Sequence, residues 1–293
     1  MTNPLEILDL AEWDPGPPQA SGGRAAGSLE SGKVLFFPRL RFRLGDNETR
    51  FLSSVWSNGK AKNISYDPVS AAVRGTDAPD ADRADIAAMM GRYAQQAREL
   101  VERISPRYAS HLLTGRTSFR PVEITGRVSS VTKDDTRLHV DAFASQPVQG
   151  KRILRVFSNV HPAGRPRVWE IGDGFESVLP RFLPRISQPL PGSAWLLHRL
   201  GITKSRRSRY DHIMLYLHDA MKRDAGYQRE AAKTRVEFPA GSTWAVFTDR
   251  VPHAALAGQF ALEQTFYLPV GAMQNEQLAP LRILEQRFHM PLA

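Results

Sequence analysis

Apolar and polar positions along this chain fall into two rhythms, a period near two and a period near three and a half. Val34-Leu35-Phe36-Phe37 and Leu40-Arg41-Phe42-Arg43-Leu44 read as short strands, the second by alternation. After Pro79-Asp80, the residues Ile86, Met89, Tyr93, Ala97, Leu100 and Ile104 recur every three or four positions, which predicts a long helix with one core-facing stripe. Asp80 or Asp82 is expected to cap it, and Pro106 lies just beyond its end. From about residue 121 strands dominate. Val122 to Val128 predicts one, followed by a turn at Lys133-Asp134-Asp135 and by Arg137-Leu138-His139-Val140-Asp141 leading out of it. Arg152 to Val160 is the next, with Leu154, Val156 and Val160 on one face and Arg155, Phe157 and Asn159 on the other.

A mostly irregular and helical insert is expected over about 170–230, including a helix from Tyr210 to Met221 with Tyr210, Met214, Leu217 and Met221 on one side. Strands return at Thr234–Phe238, Trp244–Phe247 and Ala261–Leu268, and Leu278 to Phe288 reads as a C-terminal helix. Residues 1–33, rich in Pro, Gly, Ala and Ser near 14–33, read as an irregular lead-in to a single domain spanning 34–293. Strands flanked by helices predict an α+β fold, a sandwich or jelly roll buttressed by helices.

Composition narrows the chemistry. Of the 293 residues, 42% are apolar, enough for a sizeable core. There is no cysteine, so disulfides, thiolate metal sites and thiol catalysis are excluded. No apolar run approaches the roughly 20 residues needed to cross a bilayer. The start, Met1-Thr2-Asn3-Pro4-Leu5-Glu6, has neither the basic residues nor the apolar core of a secretory signal. The formal charge of +9 suits anionic partners, and no aromatic-studded basic stretch or nucleic-acid motif accompanies it.

The chemistry-bearing feature is His139-x-Asp141, with His253 far downstream at the end of Phe247-Thr248-Asp249-Arg250-Val251-Pro252. Positions i and i+2 of an extended segment share a face, so His139 and Asp141 can reach one ion together. Two imidazoles and a carboxylate leave three positions of an octahedral ion open, a set that suits Fe(II), Mn(II) or Zn(II). No His-Glu-x-x-His occurs, which disfavours a zincin-type protease. The other histidines read as structural or surface residues.

The segments around these residues resemble a known family. Gly150 to Asn159, Gly201-Ile202-Thr203-Lys204-Ser205, Tyr210-Asp211-His212 with Leu217-His218-Asp219, Phe247-Thr248-Asp249 running to His253, and Glu263 to Pro269 look like the Kdo hydroxylases. These are Fe(II)/2-oxoglutarate dioxygenases of Gram-negative bacteria acting on 3-deoxy-D-manno-octulosonic acid (Kdo) in the lipopolysaccharide inner core. The resemblance implies a double-stranded β-helix (jelly-roll, cupin-like) core and the metal ligands His139, Asp141 and His253. It also implies hydroxylation of carbon 3 of Kdo in Kdo-lipid A, giving Ko with succinate and CO2, and ascorbate as the reductant that keeps iron ferrous. The implied location is the cytoplasm, peripheral to the anionic inner membrane.

One departure from the wider group bears on the site. A basic residue about ten positions after the last histidine commonly holds the 2-oxoglutarate carboxylate, whereas here that interval has Gln259, Glu263 and Gln264 and no cation. Arg155 is the expected substitute, with Arg152, Arg127 and Arg137 as rivals, and Asn159 and Gln264 are expected to bond the cosubstrate or orient a ligand. The run Lys204-Ser205-Arg206-Arg207-Ser208-Arg209, with Tyr210, is expected to grip the sugar acid or the membrane surface; Lys204, Arg206, Arg209 and Tyr210 are its substrate candidates. Two other classes fit the residues alone: a zinc or manganese isomerase or hydrolase on a cupin-type barrel, and a non-catalytic module that binds acidic glycans.

Overall fold

The computed structural model describes residues 3–13 and 22–293. In chain order the strands are β1 (Leu5–Ile7), β2 (Val34–Phe37), β3 (Ile64–Tyr66), β4 (Val73–Arg74), β5 (Leu113–Arg120), β6 (Arg152–Asn159), β7 (Arg167–Gly172), β8 (Lys233–Phe238), β9 (Thr243–Phe247), β10 (His253–Ala257) and β11 (Ala261–Leu268). The helices are α1 (Gly22–Glu30), α2 (Asp80–Ile104), α3 (Phe175–Phe182), α4 (Ser193–Arg199), α5 (Arg209–Arg223), α6 (Ala225–Glu230) and α7 (Pro280–Phe288). One sheet has the order β1-β2-β9-β6-β11-β5-β3-β4 and the other the order β10-β7-β8. Apart from the parallel pair β1–β2, neighbours run antiparallel. The result is the expected helix-buttressed jelly roll.

Strand periodicity sorts the large sheet into two faces. Leu154 and Val156 of β6, Ala245 and Phe247 of β9, and Phe266 and Leu268 of β11 pack with Ala97, Leu100, Val101 and Ile104 of α2. On the opposite face Phe157, Trp244 and Val246 meet Trp169, Ile171, Val236 and Phe238 of the small sheet. Aromatic stacking concentrates there: the Phe238 and Trp244 rings lie 4.1 Å apart and nearly parallel. One end of this space between the sheets is apolar core, and the other opens as the cavity described below.

The helix stripe read from the sequence is buried throughout, as are Tyr210, Met214, Leu217 and Met221 of α5. Pro79 occupies the cap of α2, so Asp80 and Asp82 do not cap it but sit in its first turn, where carboxylates favour the helix dipole. A capping box of Ser208 and Asp211 starts α5.

Four expectations need correction. Leu40 to Leu44 buries Leu40 and Phe42 and exposes Arg41 and Arg43, but it pairs with no strand. Its alternation marks burial without a ladder. Residues 122–128 are irregular, and the strand lies earlier, as β5. The expected insert opens on the end of β7 before its helices begin. Within the supposed irregular lead-in, β1 pairs with β2 and α1 packs Ala25 and Leu29 into the core. The Pro- and Gly-rich residues 14–21 lie outside the described residues.

Candidate functional site

His139 and His253 form an isolated antiparallel bridge, each backbone N–H donating to the other's carbonyl at 3.1 and 2.9 Å. This exchange sets the two imidazoles side by side, with ring centroids 4.7 Å apart. Two residues on, the Asp141 N–H donates to Thr248 O at 2.8 Å, so its carboxylate projects from the same face. The close packing that allows this involves Gly172, whose N–H donates to Pro252 O; a methyl group at that position would lie 2.9 Å from Leu138 and 3.1 Å from Pro252.

The tautomers follow from the backbone. His139 Nδ1 lies 2.7 Å from Arg137 O and His253 Nδ1 lies 2.8 Å from Val251 O. A carbonyl can only accept, so each Nδ1 carries the proton and each Nε2 keeps a lone pair. Burial pulls the His139 imidazolium down to about 4 and lowers that of His253, which keeps both rings neutral. For Asp141, burial alone would raise the carboxyl, but the Arg155 guanidinium outweighs it and holds it well below the usual range. One ligand atom from each of the three residues lies within 4.8 Å of the others, and all three residues are buried. Trp169 stacks on His253 at 5.1 Å, and His218 meets His139 edge-on at 5.2 Å, so both rings are braced.

These residues line one part of a cavity of about 410 Å³. Seven cationic side chains, Lys62, Arg116, Arg120, Lys133, Arg155, Arg167 and Lys222, line it against three carboxylates, Asp135, Asp141 and Glu263. Most of these charges are engaged within the protein. Arg120 forks onto one Glu263 oxygen at 2.6 and 3.1 Å, Arg155 reaches the other oxygen at 3.2 Å, and Lys62 pairs with Asp135. Burial would raise the Glu263 carboxyl, but Arg155 and Arg120 bring it below its ordinary value.

Arg167 differs. Its Nη1 donates to Gly258 O at 3.1 Å, its Nε has no partner, and among the described residues no carboxylate lies within ion-pair distance. Burial and the neighbouring Arg120 pull its guanidinium down to about 9, as befits a buried cation without a counter-ion. The Arg155 Nε and Asp141 Oδ2 atoms lie 3.2 Å apart, yet neither makes an aligned hydrogen bond. A buried carboxylate oxygen left in this way beside two imidazole lone pairs can accept a metal ion.

Beyond the three ligand candidates, the structure brings Arg155 into the cavity but separates the other cosubstrate and substrate candidates from it. Asn159 donates to Arg165 O and Phe238 O and accepts from His161 N, so its amide is spent at the far end of β6. Gln264 bonds Thr117, Gly115 and Thr265 on the opposite face of β11 from the cavity-lining Glu263, Thr265 and Tyr267. Lys204, Arg206 and Arg209 are exposed and outside the lining. Tyr210 is fully buried and faces a separate small void beside Asp249. Among the rival arginines, Arg152 pairs with Asp249 in the core, Arg127 donates to Val122 O and Arg137 to Lys222 O. His218, read from the sequence as structural or surface, lines the cavity, as do the unanticipated Arg116, Arg120 and Arg167.

Known proteins share this chain's sequence pattern and fold. The family model for 3-deoxy-D-manno-oct-2-ulosonic acid (Kdo) hydroxylase matches residues 12–290. A solved structure of the Kdo hydroxylase KdoO, a non-haem Fe(II) α-ketoglutarate-dependent dioxygenase in complex with cobalt(II), is 48% identical with a TM-score of 0.95, covering 99% of this chain and 97% of that one. KdoO in complex with α-ketoglutarate and Fe(III) is 47% identical with a TM-score of 0.95 and the same coverage. Its complex with succinate and Fe(III) is 48% identical, again over 99% of this chain and 97% of that one, with a TM-score of 0.94. No curated protein matches the chain. With the sequence matched almost end to end and the jelly roll shared, the chain belongs to the Kdo hydroxylase family.

Proposed function

We propose that this protein hydroxylates carbon 3 of Kdo on the lipid A inner core, with His139, Asp141 and His253 as the ligands of Fe(II). The observation that carries the reading is the convergence of two Nδ1-tethered imidazoles and one unpartnered carboxylate oxygen at a cavity of about 410 Å³. The donor set fits iron: all nitrogen and oxygen, no thiolate, with one side of the ion left open. Bound there, iron and 2-oxoglutarate use dioxygen to turn a sugar C–H into C–OH, with release of succinate and CO2 and with ascorbate keeping the iron ferrous.

The protein's own part is binding and orientation. Arg167 is the best-placed group to take the distal carboxylate of 2-oxoglutarate, since it is buried, lines the cavity and lacks an anion. Arg155, the sequence candidate, is already shared between Asp141 and Glu263, so it serves to hold the Asp141 carboxylate in place. Lys62, Arg116 and Lys133 give the cavity wall the sign that the Kdo carboxylate requires. The wider partner is an anionic membrane surface, where a lipid-anchored substrate resides and a protein of charge +9 attaches reversibly.

Mass spectrometry of Kdo-lipid A incubated with the protein, Fe(II) and 2-oxoglutarate tests this reading. A gain of one oxygen atom in air but not under anaerobic conditions, matched by succinate, is expected. Succinate without product oxygen, or neither, overturns it.

A further inference from the structure

The stretch from within α3 to the start of α5 has an unusual composition. From Ser177 to Tyr210 there is no Asp or Glu, while Arg181, Arg185, Arg199, Lys204, Arg206, Arg207 and Arg209 all fall within it. The same segment concentrates exposed apolar side chains. Leu190, Trp195, Leu196, Leu200 and Ile202 are 78, 53, 50, 62 and 53% exposed. Five large apolar residues exposed within thirteen positions are a concentration of the kind that marks an interaction surface.

The segment is folded. His212 Nε2 lies 2.8 Å from Ser187 O, and Arg209 donates to Gln188 at 2.9 Å, fixing its first arm to α5. The His198 ring meets Thr203 O, and Thr203 itself is buried. On α4 and its C-cap residue Leu200, Leu196 and Leu200 lie four residues apart, as do Trp195 and Arg199, so apolar and cationic groups share one outward face. Among the described residues Arg199, Lys204, Arg206, Arg207 and Arg209 have no acidic partner, in contrast to Arg181, which pairs with Asp224.

We infer that residues 187–209 form a docking element that seats the enzyme on a bilayer carrying anionic headgroups, with Trp195, Leu196 and Leu200 entering the acyl boundary. Exposed apolar side chains interspersed with cations that have no acidic partner, with no acid among them, match the interfacial boundary of such a bilayer, where Trp and Leu partition inward and Arg and Lys stay at the phosphates. The charge complementarity selects an anionic lipid surface over a second copy of this chain, whose own segment carries the same sign. The element's place also fits its task. Lys204 N donates to Ser145 O at 2.9 Å, Lys204 Nζ reaches Gln146 at 3.3 Å and Arg207 donates to Ala144 O at 2.6 Å, so the docking element is fixed to the 144–146 loop. Ser145 and Gln146 line the cavity. A lipid-anchored sugar would therefore be presented beside the cavity with no need to leave the membrane. This deepens, and rests on, the proposal that Kdo-lipid A is the substrate.

The experiment compares the full-length protein with a Trp195→Ser, Leu196→Ser, Leu200→Ser variant in two assays. One is co-sedimentation with vesicles of phosphatidylglycerol and phosphatidylethanolamine, with phosphatidylcholine vesicles as the neutral control. The other is turnover of a water-soluble Kdo glycoside. The expected result is binding of the unaltered protein to anionic vesicles alone, about tenfold weaker or more in the variant, with soluble turnover within about twofold. Equal vesicle binding by the variant, equal binding of the unaltered protein to neutral vesicles, or a patch-dependent dimer in place of vesicle binding overturns the inference. Should the variant fail to fold, quenching of tryptophan emission by acyl-brominated anionic lipids decides instead. Quenching in the unaltered protein that disappears in Trp195→Phe supports insertion, and its absence refutes it. Failure of the substrate reading would show separately, as vesicle binding without turnover of either substrate.

Discussion

The molecule carries two concentrations of positive charge that differ in almost every physical respect. In the cavity, Arg120 and Arg155 are largely buried and tied to Glu263, Lys62 is tied to Asp135, and Arg167 is buried with no carboxylate partner among the described residues. In the 187–209 segment the cations are mostly exposed and none has an acidic partner among the described residues. A buried charge in a low dielectric interacts strongly with its neighbours, so the buried cavity arginines are held in fixed geometry by the groups they meet. An exposed charge is screened within about 10 Å, and its effect is collective and tolerant of position. The contrast matches the two proposed roles, recognition of a small anion inside and attachment to a charged surface outside.

The largest expected effect lies on the buried side, away from both regions. Arg152 is fully buried against Asp249, at 2.7 and 3.3 Å, with its guanidinium 3.9 Å from the centre of the Phe247 ring. This pair fixes the loop that delivers His253. Arg152→Met leaves the Asp249 carboxylate alone in the core and should cost about 3–5 kcal/mol of stability, read from urea unfolding. A loss below about 1 kcal/mol would mean that the pair does not anchor the loop.

Arg167→Met sharpens the contrast from the cavity side. It should raise the KM for 2-oxoglutarate about thirtyfold or more, the effect of leaving a buried carboxylate unpaired. Stability should stay level or rise, because the cation removed has no counter-ion in the protein. An unchanged KM would move the carboxylate site to another arginine. On the exposed side, Arg206→Ser with Arg209→Ser should leave the KM for a soluble Kdo glycoside within about twofold, since both side chains lie outside the cavity lining. A change of about tenfold or more would return them to the substrate site.

The smallest effect concerns a pair that belongs to neither region, Arg181 on α3 and Asp224 at the start of α6, 2.8 Å apart. The hydrogen bond from Arg181 holds the Asp224 carboxyl down at about 2. A depressed carboxyl contributes stability above its unfolded value, near 3.9, and loses it as pH falls through the folded value. Asp224→Asn keeps a capping side chain but not the charge, so its stability deficit against the unaltered protein should be present at neutral pH and fade between about pH 4 and 2. A deficit independent of pH would assign the effect to the cap.

The parts legible in the sequence were those written in local spacing. His139-x-Asp141 shares a face in any extended backbone, and the apolar run before His253 signalled a strand end. The stripe of α2 and the alternation of β6 were equally local. Arg116 and Arg120 were hidden because β5, Leu-Thr-Gly-Arg-Thr-Ser-Phe-Arg, turns one face to a polar cavity and so lacks apolar alternation. Gln264 was misplaced by one residue of register, which in a strand is the whole distance between cavity and core. Asn159 has the right parity but lies too far along β6 to reach the cavity. The densest charge run drew substrate binding to Lys204–Arg209, since one-dimensional charge density says nothing of burial.

The central claim, that His139, Asp141 and His253 together hold the iron, has a direct measurement. Protein prepared anaerobically, loaded with Fe(II), dialysed and assayed for metal should retain about one ion per chain, while His139→Ala and His253→Ala, with unaltered circular dichroism, retain about a tenth of that or less, the loss expected for removing one of three ligands. Full retention of iron by either folded variant would contradict the assignment.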